Sequence, residues 1–284
     1  MKTINSLSGG KTSSYMAVHY PADLNIFACV CIDDPTCMPK DLTVLAYAQN
    51  KLNGNFIASA ESEKTLKIMM QLEQKIGKEI IWVRGKSFDE VIDNAGCLPT
   101  WNRRFCTTDM KIKPMTEYIY FRYGVVKEQI GFRYDELQRA YEIKKDEKPK
   151  LKIEKFFDFA TQTSLHGNQR NKWLKNILVS YKSYPLIINR IEKFQIEKYW
   201  KNYPEFIFPE DSNCQGCHHK SSKLIKQNYL REPKILEWFA RQEEKGKYNT
   251  WHDDMIPYRK KFQMEFTGEF DFDGTSCDMG GCTD

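Results

Sequence analysis

The run Ser8-Gly9-Gly10-Lys11-Thr12-Ser13 carries the densest chemistry in the chain. Its two glycines let the backbone turn tightly and bare several amide N–H groups, and the helix expected after them brings its positive dipole end to the same spot. With Lys11 as a mobile cation and Ser8, Thr12 and Ser13 as hydroxyl donors, the run is a cradle for phosphate. Capping an ordinary strand–turn–helix would need one hydroxyl residue, not this density of Ser, Gly and Lys. Gly10-Lys11-Thr12 also fits the end of a Walker A motif, but that motif needs a glycine five positions upstream, where this chain has Asn5. The loop therefore reads as a nucleotide-binding loop of another kind.

Two further strings bring cations. Arg103-Arg104-Phe105-Cys106-Thr107-Thr108, followed by Lys111-Ile112-Lys113-Pro114, sets four cations and a thiol beside a helix start. Such cations neutralise a polyphosphate, and they lower the pKa of a nearby thiol. Gly131-Phe132-Arg133-Tyr134-Asp135-Glu136 and then Arg139 follow an apolar strand. Arg133 and Arg139 suit a bidentate clamp on phosphate or sulfate, with Asp135 or Glu136 as orienting partners. Each arginine alone reads as a surface ion pair. Cationic loops at successive strand ends read together as one anion site.

The nine cysteines point to metal ligation or sulfur chemistry rather than to a disulfide framework. Cys29 and Cys31 alternate along an expected strand and face one side, as buried filler. Cys37 and Cys97 fall in polar loops, as thiols or spare ligands. Cys214-Gln215-Gly216-Cys217 has the two-residue spacing that lets both thiolates reach one metal, and Cys106, Cys277 and Cys282 are available to complete a four-thiolate site. His218 would suit a zinc site. Cys214 to His218 also spells the haem attachment string, which needs an export route for which the chain shows no signal.

These groups need a scaffold, and the apolar pattern supplies one. Strands are expected over 2–7, 26–32, 55–59, 79–83 and 125–131, with helices over 12–20, 40–52, 62–76, 88–95 and 115–123. That alternation predicts an α/β fold, a mainly parallel twisted sheet with helices on both faces. Ligands then bind beyond the carboxyl ends of the strands, where the Ser8–Ser13 loop falls. Residues 1–205 are expected to form this nucleotide-binding domain, and 206–284 a small cysteine-rich helical region packed on the nucleotide site. The charged stretch over 142–155 reads as a solvated connector. Over 169–184, Arg170, Lys172, Lys175 and Lys182 lie among Trp173, Tyr181 and Tyr184. That mixture suits either a nucleic-acid surface or an amphipathic helix.

A chain of 284 residues buries about three quarters of its extended surface. A content of 41% hydrophobic and 13% aromatic residues excludes general disorder, and a net charge of +5 favours anionic ligands. The longest apolar run is too short to span a bilayer, so no membrane partner is expected, and without a signal peptide the cytoplasm is the expected location.

The loop resembles the PP-loop, S-G-G-x-D-S, of the adenine-nucleotide alpha-hydrolase superfamily, with Thr12 where that motif has Asp. R-x-C-T-x-x-x-K-I-x-P at Arg104–Pro114, G-x-R-x-D-E-x-x-R at Gly131–Arg139, Tyr184-Pro185-Leu186 and Asn213-Cys214-x-x-Cys217 extend the match over nearly the whole chain. Together they resemble the phosphoadenosine-phosphosulfate (PAPS) reductase-like family, in its phage- and mobile-element-borne branch. The resemblance implies a Rossmann-like PP-loop fold. It also implies an adenine nucleotide, ATP or PAPS, with magnesium, held by Ser8, Gly9, Gly10, Lys11, Thr12 and Ser13, and we add Arg104 and Lys111 to that set. Lys11, Arg133, Arg139 and the tail thiol Cys282 are the candidate catalytic groups. Cys106, Cys214, Cys217 and Cys277 are the candidate ligands of a four-iron iron–sulfur cluster, with zinc as the alternative. The tail offers Ser276-Cys277-Asp278-Met279-Gly280-Gly281-Cys282 in place of the reductase E-C-G-x-H motif. The expected activity is therefore sulfur-linked or alpha-phosphate transfer. It is either a PAPS-type reductase working with a thiol reductant or an ATP-dependent sulfurtransferase that modifies tRNA or DNA with a sulfur-donor protein. A non-catalytic nucleotide- or nucleic-acid-binding module with a structural metal is the reading from another class.

Overall fold

Parallel strands need long crossovers, and the helical stretches between the apolar runs supply them. The computed structural model describes residues 1–100, 103–137, 180–211, 213–245 and 250–266. Its strands are β1 (Thr3–Leu7), β2 (Leu24–Ala28), β3 (Cys31–Ile32), β4 (Ala58–Ser59), β5 (Ile80–Val83), β6 (Val126–Gln129) and β7 (Ser180–Ser183). Five of them form one sheet in the order β5-β2-β1-β6-β7, with every neighbouring pair parallel. The order grows one way from β1 through β2 to β5 and the other way from β6 to β7. The point of reversal lies between β1 and β6, where an open α/β sheet leaves a crevice.

The helices before the second half are α1 (Lys11–His19), α2 (Leu42–Lys51), α3 (Glu63–Ile76), α4 (Phe88–Ala95), α5 (Phe105–Thr107) and α6 (Lys113–Tyr123). They are followed by α7 (Pro185–Ile188), α8 (Lys193–Trp200), α9 (Ser222–Arg231), α10 (Pro233–Lys245) and α11 (Tyr258–Gln263). Local chemistry sets several ends. Ser87 and Glu90 form a reciprocal capping box at the start of α4, and Gly96 ends it in a left-handed conformation. Ser62 caps α3 with a single bond, accepting from Lys64 N–H.

Alternation along β2 sends side chains to two layers. Phe27 joins Ala17 of α1 and Leu72 of α3 on one face, whereas Ile26 and Ala28 join Ile119 of α6 and Val126 on the other. Helices therefore cover both faces. The helices α9, α10 and α11 do not stand apart: Ile225, Trp238 and Tyr258 share a core with Ile32, Ala58 and Phe88. Among the described residues no helix is long and apolar enough to cross a membrane.

Three expectations change. The strand expected over 26–32 splits, because β1 gives way to its loop after Leu7 and leaves residues beyond Ala28 without a partner on that side. β3 instead pairs antiparallel with β4, so the segment over 55–59 contributes to a two-stranded ribbon and not to the main sheet. The described end of the basic–aromatic segment is strand β7, not helix. Its Lys182 and Ser180 turn inward to buried Glu128 at 3.3 and 2.8 Å, and Ser6 reaches the same carboxylate at 2.8 Å. Burial raises the Glu128 pKa, but Lys182 and the two hydroxyls outweigh it and hold the group below its ordinary range. The rest of that segment and the charged stretch over 142–155 lie outside the described residues.

Cys29 and Cys31 are buried in one cluster, as expected of filler. Cys37 is not a loop thiol: it is buried, donates to the Lys234 carbonyl at 3.3 Å, and burial pushes it up to about 11. Cys97 is half-buried.

Glu243 in α10 and His252 in the turn before α11 are shifted in ways that oppose each other in pH dependence. Burial pushes Glu243 up to about 6, although Trp251 and Tyr258 N–H donate to it. Burial and then Lys261 push His252 down to about 4. Glu243 therefore costs stability as pH rises from its unfolded value to about 6, whereas His252 restores it as pH rises from about 4 to its unfolded value. Glu243→Gln should leave the His252 slope unopposed. Calorimetric Tm should then climb more steeply between pH 4.5 and 6, by on the order of 1 kcal/mol in stability across the window.

Candidate nucleotide-phosphate site

The loop between β1 and α1 is held by its own atoms. Gly9 has φ +84°, and a side chain there would run into the Thr65 methyl of α3. The Ser8 and Ser13 hydroxyls lie 3.0 Å apart, Ser13 Oγ accepts from Ser8 N–H at 3.2 Å and donates to the Gly10 carbonyl at 3.2 Å. These two hydroxyls therefore shape the loop rather than simply face a ligand. At the other end of the turn, Gly10 stands at the N-cap of α1 without a side-chain cap, and no acid lies in the first turn. The first amides of the helix and its dipole are left for an anion. Lys11 is exposed and has no acidic partner among the described residues, while its carbonyl accepts from Trp200 Nε1 at 2.9 Å.

Across the reversal point, the segment after β6 answers the loop. Arg133 Nη1 donates to Thr12 Oγ1 at 3.3 Å. Its Nε binds both Asp135 oxygens at 3.1 and 3.3 Å, and its other terminal nitrogen lies 3.4 Å from Glu136. Glu136 also accepts from Arg133 N–H at 3.1 Å. Asp135 and Glu136 both act as the orienting acids. Arg139 lies outside the described residues.

The cysteine loop approaches from a third side. Residues Asn213 to Gln215 run beside Ala60 to Ser62, with Ser62 N–H on Asn213 O, Gln215 N–H on Ala60 O, both at 2.9 Å, and an antiparallel bridge between Glu61 and Cys214. Asn213 Nδ2 in turn donates to the Ser8 carbonyl. The Cys214–Cys217 loop is thus tied to the loop over 8–13. Cys106 packs in the same cluster as Cys214. Burial, and then Cys106, push the Cys214 thiol up to about 12. Gly216 sits against the Phe239 ring, where any side chain would collide, and its carbonyl accepts from Tyr258 OH at 3.2 Å. His252 links Tyr258 to Lys261, at 3.2 and 2.8 Å.

Two expected phosphate ligands behave differently from the loop residues. Lys111 is paired with Glu61, which is 1% exposed, at 2.9 Å, because a buried carboxylate needs a cation. Arg104 is half-buried at the start of α5, and its Nε has no hydrogen-bond partner among the described residues. Sequence reasoning missed Glu61, Trp200, Tyr258, His252 and Lys261, since each meets the site only through tertiary packing. Among the described residues no group of three or more His, Cys, Asp and Glu side chains is arranged to hold a metal ion. Cys277 and Cys282 lie outside the described residues.

The fold and this geometry define an α/β protein whose first loop faces the crevice of a parallel sheet. Compared with protein-family models, with curated proteins and with solved structures, the chain finds no match.

Two glycine substitutions separate loop shape from composition. Gly9→Ala combines positive φ with a collision and should cost about 1–3 kcal/mol in urea unfolding. Gly10→Ala, which meets only the Ser8 hydroxyl at 3.5 Å, should cost less than about 1 kcal/mol.

Proposed function

We propose that the chain binds the phosphate portion of an adenine nucleotide at residues 8–13 and uses it in sulfur-linked or alpha-phosphate transfer, as a PAPS reductase-like PP-loop enzyme. One observation carries this reading: Arg133 reaches from the far side of the crevice onto Thr12, beside an uncapped helix N-terminus. In this reading the amides of the first turn of α1 and the Lys11 ammonium hold charge on phosphate oxygens. Arg133 completes the clamp, and fixed electrostatics do most of the work. Arg104 would add a donor, and Arg139 would extend the clamp.

The sulfur side of the proposal rests on the two-residue spacing of Cys214 and Cys217 and on Cys106, which packs in the same cluster as Cys214. The donor set suits a soft metal: Cys106, Cys214 and Cys217 would hold a four-iron cluster, or zinc in its place, with Cys277 as the fourth ligand. A bound cluster would supply electrons or handle sulfur beside the nucleotide. Since the Cys214 thiol is pushed up to about 12, metal binding must displace its proton, and affinity should fall steeply as pH drops.

Lys11→Ala should weaken ATP or PAPS binding by about tenfold or more in calorimetry while leaving circular dichroism and Tm unchanged. A wild-type chain that binds no adenine nucleotide would defeat the proposal. Anaerobic purification with assays of iron, acid-labile sulfide and zinc should find metal in the wild type and little in Cys214→Ser. Full occupancy in that variant would remove Cys214 from the ligand set.

A further inference from the structure

The family resemblance brings magnesium with it, and the residues around the loop do not fit that ion. Magnesium is held by hard oxygens, usually one or two carboxylates together with the substrate phosphates. The motif's own carboxylate is replaced here by Thr12. The other acids described around the crevice are engaged by cations of the chain. Asp135 and Glu136 hold Arg133, buried Glu61 holds Lys111, and buried Glu128 holds Lys182.

The orientation of Arg133 turns this mismatch into a device. Its Nε and one terminal nitrogen are taken by the two acids, whereas Nη1 points at the Thr12 hydroxyl and so at the first turn of α1. A guanidinium stays charged at all working pH values and grips oxyanions through a planar fork. Held from behind by two acids, it loses little side-chain freedom when an anion arrives.

Building on the nucleotide reading above, we infer that this site binds its nucleotide phosphate without a divalent cation. Arg133 is the fixed counter-ion, and Thr12 is the neutral seat that keeps its Nη1 aimed at the loop. An aspartate at position 12 would pair with Nη1 directly, withdrawing it from the anion and adding a negative charge beside the phosphate.

Calorimetric titration of the full chain with ATP, ADP and AMP, once in EDTA and once in excess magnesium chloride, tests this. Dissociation constants should agree between the two buffers within about threefold, and Arg133→Gln should weaken binding by about tenfold or more in both. Thr12→Asp should lose about tenfold or more in EDTA and recover part of it in magnesium. Magnesium tightening wild-type binding by about tenfold or more would overturn the inference while leaving the nucleotide reading intact. Full affinity in folded Arg133→Gln or Thr12→Asp, checked by circular dichroism, would also overturn it. Absence of binding in both buffers would sink the nucleotide reading, and this inference with it.

Discussion

The side-chain amide of Asn213 on the backbone carbonyl of Ser8 is the contact on which the rest of the arrangement depends. Ser8 follows the central strand of the sheet, and Asn213 opens the cysteine loop more than two hundred residues later in sequence. A buried carbonyl must find a donor, and this one finds it in the C-terminal half of the chain. The backbone of Asn213 is in turn bonded to the start of α3, whose Thr65 methyl presses on Gly9. The 8–13 loop, α3 and the cysteine loop are thus three surfaces of one joint. Displacing any of them disturbs the other two.

Charge around this joint is unevenly distributed. Two buried carboxylates near it each have a cation: Lys111 for Glu61 and Lys182 for Glu128. Removing one partner of such a pair leaves an uncompensated charge and typically costs about 3–5 kcal/mol. At the first turn of α1 the balance is reversed. The amides lack a side-chain cap, Lys11 reaches solvent, and the cation across the crevice is braced from behind. The sheet interior is neutralised within the chain, and the loop is the place where charge awaits a partner.

Much of the scaffold was legible because its signals are local. The loop over 8–13, the capping box at Ser87 and Glu90 and the terminating Gly96 each act within a few residues, and the expected helix over 88–95 is the one observed. The pairing of Arg133 with Asp135 and Glu136 was legible for the same reason. What escaped depends on contacts distant in sequence. Nothing near Cys31 says that β3 will leave the sheet to meet β4, and nothing near Lys182 says that it will turn inward toward Glu128. Lys111 looked like a phosphate ligand because its partner Glu61 lies fifty positions away. Cys37 read as a loop thiol or spare ligand because the Lys234 carbonyl that receives its thiol belongs to the far end of the chain.

The central strand β1 is bonded on both sides, to β2 and to β6, and the turn that follows it is pinned at Gly9 by α3, at Lys11 by the Trp200 indole and at Ser8 by Asn213. Such a turn has little conformational freedom left to surrender. The entropy of aiming its amides is settled when the chain folds, not when an anion arrives. An anion bound there as proposed would find a rigid seat, and its recognition would be a matter of shape and charge spacing rather than of a loop closing around whatever enters.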